Sequence, residues 1–263
     1  MQLDLAGRHA LVCGASRGIG HAAAIELATL GANVTVLSRS ADKLEAIANA
    51  LPQTTGGQSH DFIAVDMGDT TQLDADVRKL AALHPVHILV NNTGGPAGGP
   101  AHAAMPDDYL AALRQHLVAG QTLLQAVLPG MREAGWGRLV NVISTSVKEP
   151  IAGLGVSNTT RAAVAGWAKT LSGELAADGI TVNNVLPGYT RTSRLHGLIE
   201  AKSGKSGQSE DEVAAAMLAA VPAGRFGEPE ETAAVIAFLC TPAAAYVNGV
   251  SIAVDGGRTR ALA

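Results

Sequence analysis

Charge is scarce in this chain. Asp, Glu, Lys and Arg together make up 16% of its 263 residues and leave a formal net charge of −4. There is no basic surplus to hold nucleic acid or an anionic membrane. Long hydrophobic runs are missing too: nothing approaches the roughly 18–20 consecutive apolar residues that cross a bilayer, and the first residues enter a strand pattern with no basic and apolar leader before it. A soluble, cytoplasmic protein with a small-molecule partner is the expectation. Cysteine is limited to Cys13 and Cys240, with no metal-ligand spacing around either, so buried thiols are expected rather than a disulfide or a metal site. Nothing resembles a linker, and the length suits one large α/β domain over 1–263.

What the chain does have is glycine in one informative arrangement. His9-Ala10-Leu11-Val12-Cys13 is a short apolar run, Gly14-x-x-x-Gly18-x-Gly20 follows, and His21 to Ala28 carries apolar residues at helical spacing. These read as strand, tight loop and helix. Glycine lets backbone come close to an anion, and the first helical turn offers unpaired N–H groups and the positive end of its dipole. The stretch is a candidate phosphate cradle. Glycines also serve ordinary turns, so it is the flanking strand and helix that carry the nucleotide reading.

Downstream, Ala32 to Leu37 reads as a second strand ending at Ser38-Arg39-Ser40, before a helical pattern from Ala41 to Leu51. Phe62 to Val65 is a third strand, ending in Asp66-Met67 with a helix over Thr70 to Leu83, and Ile88 to Val90 is a fourth, running into Asn91-Asn92-Thr93-Gly94-Gly95. Strands alternating with helices predict a parallel sheet whose ligand lies beyond the carboxyl ends of the strands. Gly14, Arg39, Asp66 and Asn91 fall at four such ends. At the end of the second strand an acid would take a ribose 2′-OH, whereas an arginine accommodates a 2′-phosphate. Arg39 stands there and no acid does; with Arg17 in the glycine loop it favours NADP(H) over NAD(H). The alternative for Arg39 is plain solvated surface. Asp66 likewise has two readings, an adenine contact and the N-cap of the next helix.

Taken together, Gly14-x-x-x-Gly18-x-Gly20, Asp66, Asn91-Asn92-Thr93-Gly94, Gly137 to Ser144, Val182-Asn183-Asn184-Val185-Leu186-Pro187-Gly188 and Val254-Asp255-Gly256-Gly257 resemble the short-chain dehydrogenase/reductase family, in order and over nearly the whole chain. The resemblance implies a single-domain Rossmann-type doubly wound parallel sheet of about seven strands with helices on both faces. It further implies an NAD(P)(H) cofactor, hydride transfer between an alcohol and a carbonyl substrate, and a homotetramer or dimer. On the matching positions, cofactor contacts are expected from Gly14, Ser16, Arg17, Gly18, Ile19, Gly20, Arg39, Asp66, Met67, Asn92, Gly94, Arg161, Pro187, Gly188, Thr190 and Thr192.

The catalytic set departs from the family. Its members use Asn, Ser, Tyr and Lys: the serine holds the substrate oxygen, the tyrosine passes a proton, and the lysine lowers the tyrosine pKa and binds the nicotinamide ribose. Ser144 matches the serine, but the tyrosine position holds Ser157, the lysine position Arg161 and the asparagine position His116. No shift of register restores Y-x-x-x-K, because Tyr109, Tyr189 and Tyr246 are followed four places on by Leu113, Ser193 and Val250. Arginine keeps its charge and can hold a ribose but does not relay protons, and serine is a poor general acid. Two substitutes are candidates for the missing donor: His116, whose ordinary pKa lies near neutrality, and Tyr189, in the loop after Pro187-Gly188; the alternatives are a packed helix histidine and a pocket-shaping lid residue. A lid is expected over about 190–221, with a flexible polar loop at Ala201 to Glu210 and a helix from Ser209 opened by a capping box with Glu212. The resulting expectation is an NADP(H)-dependent oxidoreductase with a non-standard proton donor; the alternative is a catalytically silent NADP(H)-binding member with a partner or sensing role.

Overall fold

Alternate residues of each inner strand feed two different cores, and this alternation builds the molecule. In the computed structural model, which describes residues 1–262, seven strands form one sheet: β1 (His9–Cys13), β2 (Asn33–Ser38), β3 (His60–Ala64), β4 (Ile88–Asn91), β5 (Gly137–Val142), β6 (Ile180–Pro187) and β7 (Ser251–Val254). Their spatial order is β3-β2-β1-β4-β5-β6-β7, with every neighbouring pair parallel. In β1, Ala10 and Val12 join one core while Leu11 and Cys13 join the other; β4 divides Ile88 and Val90 from Leu89 in the same way. The first core is closed by α1 (Gly18–Thr29), α2 (Ala41–Ala50) and, at the far end of the chain, a helix over Pro229–Cys240. The second is closed by α3 (Thr70–Leu83), α5 (Ala119–Glu133) and α6 (Gly155–Glu174). Burial on both faces is why these strands read as unbroken apolar runs. Both cysteines are buried and free, with desolvation pushing their thiols up to about 12.

The strand order reverses between β1 and β4, and the crevice that opens there is where a doubly wound sheet takes its ligand. A row of side-chain amides crosses the sheet at this level. Asn91 donates from Nδ2 to Asn141 Oδ1 at 2.9 Å, Asn141 to Asn184 Oδ1 at 3.0 Å, and Asn184 to Ser251 Oγ at 3.1 Å, each bond joining residues paired in register on adjacent strands.

The stretch Pro106 to Glu133 is α4 (Pro106–Leu113), a π-helical turn over Arg114–Val118, and then α5. The π turn inserts a residue into the helix and swings His116 inward, a device common at functional sites. The polar stretch read as a flexible loop is helical through Ser206: α7 (Ser193–Ser206) ends at Gly207, whose φ of 73° provides a left-handed cap, and α8 (Glu210–Leu218) follows. Composition misleads there because one face of α7 finds a partner. Leu195 and Ile199 pack with Val213, Met217 and Phe226 in a small separate core. Ser209 and Glu212 do form the expected capping box, with Ser209 N to Glu212 Oε2 at 2.8 Å. The helix over Pro229–Cys240 is α9.

Candidate active site

The glycine loop turns only because three of its residues lack side chains. Gly14 (φ 61°) and Gly18 (φ 58°) lie in the left-handed region, and a Cβ on Gly20 would meet Gly14 O at 2.5 Å. Asn92, expected at the cofactor, also braces the scaffold. Its Nδ2 reaches Cys13 O at 3.3 Å and Gly14 O at 3.4 Å, tying the end of β4 to the glycine turn. The first turn of α1 carries no acidic residue, and Arg17, extended at the N-cap, makes no side-chain capping bond. The helix therefore presents its first N–H groups and its dipole uncovered, which fits a bound diphosphate. Ser16 and Ile19 sit in this loop, half-buried.

At the ends of β2 and β3, Arg39 and Asp66 are exposed and only loosely paired: Arg39 Nη1 lies 3.9 Å from Asp66 Oδ2, with side chains 75% and 50% exposed. Asp66 is not the cap of α3. It accepts from Gly68 N at 2.8 Å, and the cap is Asp69, whose Oδ1 accepts from Gln72 N at 3.1 Å. Met67 turns its side chain into the second core, so only its backbone faces the crevice side. Gly94 has open space where a Cβ would be.

On the other wall, Ser144 ends the segment after β5. Its Oγ accepts from Ser146 N at 3.0 Å, which leaves the hydroxyl proton free. Ser157 and Arg161 lie one helical turn apart on α6, both 8% exposed. Arg161 donates from Nη1 to Val142 O at 2.9 Å and from Nη2 to Thr93 O at 3.4 Å. Burial and the neighbouring Arg194 push its pKa down to about 10, still well above neutrality. His116, 6% exposed, bonds through Nδ1 to Thr93 Oγ1. Desolvation first, then Arg161 and Arg194, hold it down to about 2, so at pH 7 it is neutral imidazole and the ordinary near-neutral value expected of it does not apply.

Beyond β6, Gly188 sits where a Cβ would meet Asp255 Cβ at 2.6 Å, and Pro187 closes the strand. Thr190 turns back on its own loop, Oγ1 to Gly188 O at 3.4 Å. Thr192 caps α7, accepting from Leu195 N at 3.5 Å, and its methyl group would lie 3.1 Å from a Cβ on Gly18, so the start of α7 packs beside the glycine loop. Tyr189 stands edge-on to Phe226 (centroids 6.2 Å, 88°) with the Arg258 guanidinium 4.6 Å over its ring. That packing holds its ring between Phe226 and Arg258. Arg194, which the sequence reading omitted, reaches across the mouth from α7: Nη1 to Gly95 O at 3.3 Å and Nη2 to Pro96 O at 2.8 Å. Its only sequence signal is its place at the head of the lid. A cavity of about 350 Å³ adjoins this point, lined by Pro96–Pro100, Asp108, Gln115 and Val156 among others.

A glycine turn at the strand-order reversal, an uncovered helix N-terminus and α7 rooted beside them define a nucleotide-binding protein of the doubly wound α/β class. The comparisons narrow this. The family model described as short chain dehydrogenase matches residues 8–203, and the chain belongs to that family. The chain is 34% identical over 258 residues to the 3-oxoacyl-[acyl-carrier-protein] reductase FabG of Pseudomonas aeruginosa, covering 97% of this chain and 98% of the relative. Among solved structures, YwfH, described as an NADPH dependent reductase involved in bacilysin biosynthesis, superimposes with a TM-score of 0.91 at 30% identity, covering 97% of this chain and 99% of that one. The L-sorbose reductase of Gluconobacter frateurii, complexed with NADPH and L-sorbose, gives 0.91 at 29% identity with both chains fully covered.

Proposed function

We propose that the protein is an NADP(H)-dependent oxidoreductase acting on a carbonyl/alcohol pair, with the sheet and its lid working as one domain over 1–263. The observation that carries the reading is the open cradle, an uncapped α1 N-terminus behind a turn that only glycine permits, at the point where the strand order reverses. Arg17 and Arg39 would take the 2′-phosphate, since Arg39 has only a 3.9 Å exposed partner to give up. Arg161 would hold the nicotinamide ribose, with Pro187, Gly188, Thr190 and Thr192 bounding the ring. A bound nicotinamide supplies the hydride. Ser144 donates its free hydroxyl proton as a hydrogen bond to the substrate oxygen, and the fixed charge of Arg161 stabilises negative charge developing there. The proton then comes from Ser157 or water rather than from a phenol. His116, neutral at pH 7, acts by orienting Thr93, and Tyr189 by shaping the pocket.

The test follows NADPH absorbance against ketones, aldehydes, quinones and 3-oxoacyl thioesters, beside a binding titration. Oxidation dependent on one carbonyl class supports the reading; tight NADPH binding with no oxidation in the whole panel favours the second reading, a silent NADP(H)-binding member with a sensing or partner role. What favours that second reading is that neither Ser157 nor Arg161 titrates near neutrality. We further propose a cytoplasmic homotetramer or dimer assembled through α4 to α6, where Leu110 and Val118 stand exposed, checked by light scattering on the purified protein. No helix among the described residues is long and apolar enough to cross a membrane.

A further inference from the structure

Three basic side chains converge on one turn. Arg161 donates to Thr93 O, Arg194 to Gly95 O and Pro96 O, and His116 bonds Thr93 Oγ1, so both guanidiniums lie along a four-residue stretch at the mouth of the crevice. Neither has a carboxylate partner among the described residues: the five ion pairs there all join other side chains, and the partners of both arginines are backbone carbonyls. A buried cation without a counter-ion is costly. The positions around it supply none. Ser157, at the family's tyrosine position, cannot ionise to balance Arg161, and the turn Gly94 to Pro100 is uncharged. The acid lining the neighbouring cavity, Asp108, is committed to its own helix start, with Oδ2 accepting from Met105 N at 2.9 Å. His116 beside them is held below its ordinary basicity by burial first and then by the positive charges of Arg161 and Arg194.

We infer that the missing counter-charge arrives with the substrate: the site takes a small oxo acid, whose carboxylate lies between Arg161 and Arg194 over the Thr93–Pro96 turn while its carbonyl meets Ser144. This rests on the oxidoreductase reading for the carbonyl but not for the anion. A monoanionic carboxylate suits the place better than a phosphate dianion, because Arg161 shares its charge with the cofactor ribose and four backbone carbonyls already face the pair. The adjoining cavity, lined by small Gly, Pro and Ala residues with Asp108 and Gln115 among them, accommodates the remaining carbon skeleton.

The experiment measures binding of 2-, 3- and 4-oxo acids and their isosteric carboxamides to the NADP⁺-loaded protein by calorimetry, where no turnover can occur. At least one acid should bind about tenfold tighter than its amide, the preference weakening as salt rises, as for an ion pair at a partly open site. Arg194→Gln should erase the preference and Arg194→Lys restore part of it, which separates lost charge from a disturbed lid. Acids binding no tighter than amides, a preference that survives Arg194→Gln, or inorganic phosphate competing as strongly as the best acid would each overturn the inference. NADPH oxidation by the same compounds is read separately. An acid preference in binding without any oxidation keeps the anion site and removes the proposed reaction; amides reduced as fast as acids do the reverse.

Discussion

The two ends of the sheet spend their charged residues in opposite ways. At the amino end, Trp136 is held between Arg8 and Arg138, with guanidinium carbons 4.3 and 4.2 Å from its ring, and His87 stands edge-on to the same ring. Beside it His9, His60, His84 and His87 line a cavity of about 260 Å³ together with Asp61, and His9 bonds Thr35 Oγ1 at 2.8 Å and faces His84 at 5.9 Å. Arg8, Arg138, His9, His84 and His87 lean on a ring or a hydroxyl there, and His60 bonds Pro52 O at 3.1 Å. At the carboxyl end Arg161 and Arg194 rest on carbonyls alone, Arg39 barely touches Asp66, and the α1 N-terminus is uncovered. The lesson is physical: a polar group satisfied within the fold contributes stability, whereas one left short of a partner is available to a ligand.

Gly20→Ala should break the contrast most severely. Its Cβ would press on Gly14 O at 2.5 Å, and an overpacked backbone contact predicts about a hundredfold weaker NADPH binding by titration, together with about 1–3 kcal/mol lost from unfolding. Trp136→Ala is the converse test at the amino end: about 2 kcal/mol lost from urea unfolding, with NADPH affinity unchanged. A Trp136 variant that lost cofactor binding would show the two ends to be coupled. Arg39→Asp should cost NADPH about tenfold in affinity while leaving NADH binding equal or better, and unchanged NADPH affinity would return Arg39 to plain surface.

The smallest effect is in acid, and it distinguishes the two ends by its range. Both His9 and His116 have folded pKa values below their ordinary 6.5, at about 4 and about 2, so below pH 6.5 the unfolded chain binds protons that the folded chain refuses and stability falls with acid. His9 is depressed by burial, then by His84 and His87, with His60 adding and Asp61 opposing; His116 is depressed by burial, then by Arg161 and Arg194. His9→Phe should flatten the pH dependence of unfolding only between about pH 6.5 and 4, and His116→Asn down to about pH 2. Identical pH profiles in the two variants would deny the difference in environment.

Much of the fold was legible because parallel strands covered on both faces must be apolar throughout, as Leu11, Val12, Leu89 and Val90 are. The edge strand β3 was read two residues late, since His60 and Asp61 pair with β2 yet face solvent or the amino-end cavity and carry no apolar signal. Lid helix α7 hid behind its polar residues, because what stabilises it is contact with Met217 and Phe226, residues distant in sequence. In the site, Gly14, Gly18 and Gly20 announce themselves by type and spacing. Arg194 does not, because an arginine in a polar segment looks like surface until the chain folds it over Gly95 and Pro96. The basicity of His116 was equally invisible, being set by a π-helical turn and two cations that the linear order keeps apart.

The amide row from Asn91 to Ser251 has a direction, since every rung donates toward β7 and accepts from the β4 side. Such dipoles add head to tail, leaving the carbonyl end of the series, Asn91 Oδ1, without a partner at the strand that leads into Thr93. No rung can turn over alone: rotating the Asn141 amide would set oxygen against oxygen on one side and nitrogen against nitrogen on the other. Exchanging Asn141 for Asp therefore reverses polarity through the middle of the sheet, and a one-residue slip of any strand uncouples the whole line.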